Sequence, residues 1–311
     1  MTPHCSPLPS SRLAVLLLFF SASLWGLSWW PVKLFAAAGL SGPHLTLLSY
    51  GPVGLCGVYF LLRERAAWSG QARLLLLLAL VGGWANTAFI SALLQGDVVR
   101  VMLLFYLSPV WSVLGARLFL GEKITRKRSL AVCLALTGLW WVIGGSAAFE
   151  HALDASDLLA LSAGMAFAGN NLISRATQSV PMASKTVVVF IGCGVLSAAA
   201  VLWQGAPPPK VSAALGLALL AYGFGWMVLA TATWQYGVTH LETGRAGVIL
   251  ITELVVAVVS VTWFGPQQML PHIWIGGLFI AAAALMEAMD SGASSNANEQ
   301  KSPHLNTKES P

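Results

Sequence analysis

The sequence predicts an all-α integral membrane protein of ten transmembrane helices, arranged as two inverted five-helix repeats. Three observations carry this expectation. The 311 residues are 57% hydrophobic and 9% charged, with a mean hydropathy of +0.74. Soluble domains carry about 25% charged residues, so this chain cannot cover a water-facing surface. Apolar runs of about twenty residues recur along it, the length at which a helix matches the hydrocarbon thickness of a bilayer. Finally, the pattern of one half returns in the other at a shift of about 142 residues.

In chain order the spans fall at about 13–36, 43–62, 73–95, 98–120, 128–146, 156–177, 184–204, 211–235, 243–264 and 271–289. The opening RLAVLLLFFSASLWG has the flavour of a signal peptide, with Arg12 as its charged flank. Its apolar run continues to about Ala38, longer than such a segment needs, so it is read as the first span. The linkers are short and rich in Gly, Pro or Ser, as in GLSG, GAPPPK and FGPQQMLP, and leave no room for a soluble domain. This gives an N-terminal segment (1–12), a first repeat (13–146), a second repeat (156–290) and a polar tail (291–311) whose composition predicts disorder.

Orientation follows from the cations. With the N-terminus inside, Arg12, Arg63, Arg65, Arg73, Lys123, Arg126, Lys127, Arg128, Arg175, Lys185, Arg245, Lys301 and Lys308 all lie on the cytoplasmic side. The opposite side receives Lys33, Arg100 and Lys210, together with the acidic linker of Glu150, Asp154 and Asp157. Positive charge is retained inside, so both termini are expected in the cytoplasm. The formal charge of +5 is thus explained by topology and calls for no nucleic acid. Cys5, Cys56, Cys133 and Cys193 show no metal-ligand spacing, and neither a metal nor a cofactor is expected.

The repeat is readable by residue. SASLWGLSWWPVK of span 1 lines up with SAGMAFAGNNLISR of span 6, Gly83-Trp84 with Gly225-Trp226, and Gly121 with Gly265. Five spans per copy is an odd number, so the copies enter the membrane from opposite sides. Such inverted repeats build secondary transporters, with binding sites near the midplane between the copies.

Segment 97–128, with Pro109 mid-span and a Gly-Glu exit followed by Lys123, Arg126, Lys127 and Arg128, carries a further likeness. Together with the Trp-Gly of span 1, it resembles the drug/metabolite transporter superfamily, and within it the EamA-type exporters, over residues 12–290. In the second half, Glu253-Leu254 stands where many members have Glu-Pro, and Gly265-Pro266 replaces Gly-Glu. The ITELVVAVVS run and the thirteen tryptophans look most like the YddG-type exporters of aromatic amino acids. The resemblance implies a basket in which helices 1, 3, 4, 6, 8 and 9 line a central cavity. It also implies a multi-pass protein of the bacterial inner membrane that exports small metabolites, aromatic or hydrophobic amino acids first, by alternating access. Monomer and homodimer stay open.

Glu253 is the sharpest candidate. A carboxylate near the midplane is costly and marks a functional group by default. It suits proton coupling or binding of a substrate amine; the bland reading is a hydrogen-bonded carboxyl that fixes packing. Asn86, Asn170 and Asn171 are amides within spans, for substrate polar groups or for contacts between helices. Trp25, Trp84, Tyr106, Trp226 and Trp234 lie deep enough to wall an aromatic side chain, or simply to pack. Trp68, Trp203, Trp263 and Trp274 lie near span ends and fit an interfacial belt. Pro109 is a candidate hinge, and Pro52 a second kink. Asp97 and Arg100 share a helix face and are expected to pair; Lys33 either attracts a carboxylate or snorkels. The glycines at 51, 54 and 57 predict a close helix contact.

Rivals need other residues. An intramembrane enzyme requires paired aspartates, HExxH or a serine–histidine pair at matching depth, and the sequence holds none of these patterns. A purely structural membrane protein has no need of inverted symmetry around a buried carboxylate. Export of another metabolite or drug through the same fold is the alternative within the class.

Overall fold

The computed structural model describes residues 9–119, 126–142, 153–205, 207–241, 243–265 and 270–301, and every regular element among them is helical. The helices form ten rods in chain order. The first is α1 (Pro9–Gly26) with α2 (Trp29–Ala37), and the second is α3 (Gly42–Arg63). The third is α5 (Ala72–Gln95), reached through the short α4 (Arg65–Trp68) and a 3-10 turn. The fourth is α6 (Val98–Phe105) with α7 (Ser108–Phe119), and the fifth is α8 (Arg126–Val142). The sixth is α9 (Ala155–Ala176) and the seventh α10 (Met182–Gln204). The eighth joins α11 (Ala213–Leu220), a π-helix (Ala221–Met227) and α12 (Val228–His240). The ninth is α13 (Thr243–Phe264) and the tenth α14 (Pro271–Lys301). Six segments among the described residues are long and apolar enough to cross a bilayer. The protein is a multi-pass membrane protein.

Two rods are broken, and sequence chemistry says where. A proline has no N–H to continue the i→i−4 ladder, yet is tolerated in the first turn, where that N–H has no partner anyway. Pro31 and Pro109 each sit in the first turn of a restarting helix, α2 and α7, and each preceding helix stops just short, at Gly26 and Phe105. Pro52 behaves differently: α3 runs through it without interruption, so the expected second kink is no break. The eighth rod widens into a π-helix instead, a distortion that recurs at functional sites.

Small residues set the tightest contacts. A side chain at Gly54 would come within 2.9 Å of the Ile191 backbone, and one at Gly57 within 2.6 Å of Val187, so the predicted ridge docks α3 onto α10. Gly192 of α10 lies against the Ala79 carbonyl of α5. The main pairings are α3 with α10, α8 with α14, α5 with α9 and α10, α1 with α12 and α13, α13 with α14, and α9 with α6 and α7. Exchanging each rod for the one five places along maps most of these pairings onto one another, while α5 with α10 and α13 with α14 have only weaker counterparts.

One rim gathers residues expected outside. Lys33 Nζ donates to the Leu94 and Gly96 carbonyls (3.3 and 3.0 Å), closing the end of α5. Arg100 departs from the expected pairing. Asp97 spends its carboxylate on the Arg100 backbone N–H as an N-cap, while the guanidinium reaches across to Asp157 of α9 with two bonds of 2.7 Å. Asp157 is buried and Asp154 caps its helix in a reciprocal box. The Ser156 hydroxyl, then the Asp157 N–H, hold the Asp154 carboxyl below its ordinary value of 3.8. At the opposite rim Ser184 donates to Glu64, and Lys185 donates to the Ser174 carbonyl. Trp203 and Trp263, at helix ends, are 92% and 76% exposed, as an interfacial belt requires.

The last helix continues to Lys301, past Asp290, into the stretch that composition assigns to a disordered tail. Its Ala, Glu, Gln and Lys residues sustain a helix already nucleated by the apolar span. The Gly121–Lys123 exit, Glu150, Glu242, Pro266 and residues 302–311 lie outside the described residues.

Candidate functional site

The break in the fourth rod places Tyr106. Phe105 closes α6, Tyr106 and Leu107 turn the chain, and Val110 N–H donates to the Leu107 carbonyl as α7 begins. The Tyr106 N–H still donates to the Met102 carbonyl at the end of α6, and its hydroxyl hydrogen-bonds the Glu253 carboxyl of α13. Glu253 lies ten residues into α13, about 15 Å along at 1.5 Å per residue, half of a typical hydrocarbon core. Tyr106, nine residues past the Asp97 cap, arrives at a similar depth from the other end. Two candidates chosen separately from the sequence therefore form one contact.

The break in the first rod flanks that contact. A side chain at Gly26 would come within 2.5 Å of the Glu253 carbonyl, so α1 touches α13 backbone to backbone. The fourth rod has its own close neighbour: Gly164 of α9 lies against the Phe105 carbonyl, the acceptor that Pro109 leaves without its usual donor. Trp29 Nε1 donates to Ser260 Oγ of α13 (2.9 Å), fixing α2 to the same helix. Trp25 is half-buried against the core beside this break, and its carbonyl accepts the Ser28 N–H.

The remaining candidates separate. Trp84 is 42% exposed and donates to Ser162 Oγ of α9 at 3.3 Å. Asn86 Nδ2 donates within its own helix, to the Gly82 carbonyl, and Asn170 Oδ1 lies against Gly82 from α9 without a hydrogen-bond donor. Asn171 is half-buried on α9. Trp226 sits in the π-helix with its indole nitrogen buried and unpartnered. Trp234 falls two turns further on, in a separate cluster with Leu18, Leu241 and Tyr236, away from the break. Among the described residues no His/Cys/Asp/Glu group could hold a metal.

Ser28 and Tyr222 are buried polar residues that the sequence reading passed over. The signal for Tyr222 was its spacing, one turn before Trp226. For Ser28 it was the proline three residues later, which marks the turn.

An EamA-like transporter family model matches residues 12–144, the first five rods. No curated protein matches the sequence. Fifteen solved chains match the structure. One of them, described as a crystal structure of a protein, is 19% identical over 93% of this chain and 99% of its own, with a TM-score of 0.57. That likeness is one of fold. The family match points to a membrane transporter of small molecules.

Proposed function

We propose that the chain is a secondary transporter of the bacterial inner membrane that exports small metabolites by alternating access, with both termini cytoplasmic. Aromatic and hydrophobic amino acids are its leading substrates. The contact between Tyr106 and Glu253 carries the reading. It joins the broken fourth rod to the ninth at mid-depth, where an ionisable group faces a pathway or a partner. Glu253 couples transport to protons, and Pro109 supplies the hinge beside Tyr106. Trp25, Trp84 and Trp226 wall the cavity, with Asn86, Asn170 and Asn171 beside it; Trp234 belongs at its edge. Two five-helix repeats (13–146 and 156–290) of opposite orientation are supported by the reciprocal pairing of rods.

The test is efflux of labelled phenylalanine from proteoliposomes, with and without an imposed pH gradient. Acceleration by the gradient is expected of a proton antiporter. Efflux indifferent to the gradient would make the protein a facilitator and remove coupling from Glu253. If phenylalanine stays inside while another metabolite or a drug leaves, the amino-acid assignment falls and the transporter stands.

A further inference from the structure

Buried donors without acceptors are rare, and each calls for an explanation. Three occur on the first and eighth rods: Ser28 Oγ, Tyr222 Oη and Trp226 Nε1. Ser28 is 1% exposed and Tyr222 4%, and the indole nitrogen of Trp226 is itself buried.

Two contacts between the same rods bracket the three. Below them Ser21 Oγ donates to the Ala230 carbonyl at 2.7 Å; above them the Phe35 and Tyr222 rings meet at 5.4 Å. In the first rod Ser28 stands seven residues from each of Ser21 and Phe35. Along the antiparallel eighth rod Trp226 stands midway between Ala230 and Tyr222, four residues from each. The segment that carries Tyr222 and Trp226 is the π-helix, and Ser28 lies at the break.

The two halves explain why Trp226 is left over. Its counterpart Trp84 gives its N–H to Ser162. The residue aligned with Ser162 is Ser21, whose hydroxyl is turned to Ala230 instead. The same ring is thus satisfied in one half and waiting in the other.

We propose that Ser28 Oγ, Tyr222 Oη and Trp226 Nε1 form the subsite for the carboxylate of a small zwitterionic substrate. An indole N–H donates only, and the two hydroxyls can both donate, so the trio asks for an acceptor with several lone pairs. A carboxylate provides them and makes short, charge-assisted bonds. On the other side of the same break Glu253 offers a negative partner for an amine. A net-neutral amino acid then lies across the broken first rod, amine toward Glu253 and carboxylate toward the eighth rod. This rests on the transporter reading above and adds to it which end of the substrate goes where.

The test is ligand-induced thermal stabilisation of the full-length protein in lipid nanodiscs. The probes are phenylalanine and leucine, each beside its decarboxylated amine, phenethylamine and isoamylamine. The amino acids should stabilise and the amines should not. Tyr222→Phe and Trp226→Phe should each weaken the apparent affinity for the amino acid about tenfold, the loss of one hydrogen bond to a charged group. Tyr222→Phe should not lower the melting temperature of the unliganded protein, since it deletes only a hydroxyl that has no partner there, whereas Trp226→Phe also removes packed ring volume. Equal stabilisation by amine and acid, or by neither, overturns the subsite. So does a variant that weakens both probe classes alike, which would assign the rings to packing. Efflux assays on the same preparation keep the two readings apart: transport of solutes without a carboxylate removes the subsite and leaves the transporter.

Discussion

The fourth and ninth rods occupy corresponding places in the two halves, yet one is broken and the other is not. The fourth carries Pro109 and parts into α6 and α7 at Tyr106–Leu107; the ninth carries Glu253-Leu254 and runs unbroken from Thr243 to Phe264. A single residue type accounts for much of the difference. Leucine at 254 keeps its N–H and the ladder continues, whereas Pro109 cannot. The two rods then meet through the side chains the difference exposes, a tyrosine at the break and a carboxyl held on an intact helix. One half supplies the break and the other the ionisable group.

The most disruptive way to erase this contrast is to give the ninth rod a proline. Leu254→Pro should cost at least about 3 kcal/mol, because it removes a mid-helix hydrogen bond and a buried side chain. The reverse exchange, Pro109→Ala, should shift stability by less than about 1 kcal/mol, since an N–H in the first turn of α7 finds no intrahelical partner as long as the break persists. It should nevertheless slow transport, by letting α6 and α7 join and drawing Tyr106 back. Thermal unfolding in nanodiscs beside efflux rates checks both. Equal stability losses for the two variants would mean that the break is not a proline effect.

Next in size is the anchor of α6. Arg100→Ala should cost about 3 kcal/mol, the lower end for stripping one partner from a buried ion pair, because it strands the buried Asp157. Arg117→Ala, at an exposed position of α7, serves as the control and should change little. Similar unfolding temperatures for the two variants would show that the pair at the rim does not hold the fourth rod in place.

The smallest effect is at the cap of α9. Asp154 has a folded pKa below its unfolded value, so its contribution is complete above the unfolded pKa and is lost as pH falls through the folded one. A capping carboxylate is worth about 1 kcal/mol. The stability gap between the wild type and Asp154→Ala should therefore be present at neutral pH and close in the acid range below the usual carboxylate value. A gap that persists unchanged in acid would leave the cap without an ionic component.

Much of the fold was legible because its signals are local. Span lengths, the glycines of α3 and the tryptophans at helix ends follow from composition and position, and Glu253 is conspicuous in an apolar run. What stayed hidden depends on distant partners. The sequence puts Asp97 three residues from Arg100, but the guanidinium turns to Asp157, fifty-seven residues away, because a bidentate bond to a buried carboxylate outcompetes a side chain already used as a cap. The break before Pro31 and the π-helix that bears Tyr222 leave no clear periodic trace. Three buried donors become conspicuous only when two rods are laid side by side.

The central claim is that Glu253, held by Tyr106, links proton movement to substrate movement. The direct measurement is phenylalanine efflux from proteoliposomes containing the wild type, Glu253→Gln and Tyr106→Phe, each with and without a pH gradient. The account predicts that Glu253→Gln folds, still lets substrate cross, and loses all acceleration by the gradient, while Tyr106→Phe keeps part of it. A Glu253→Gln protein accelerated by the gradient as strongly as the wild type would contradict it.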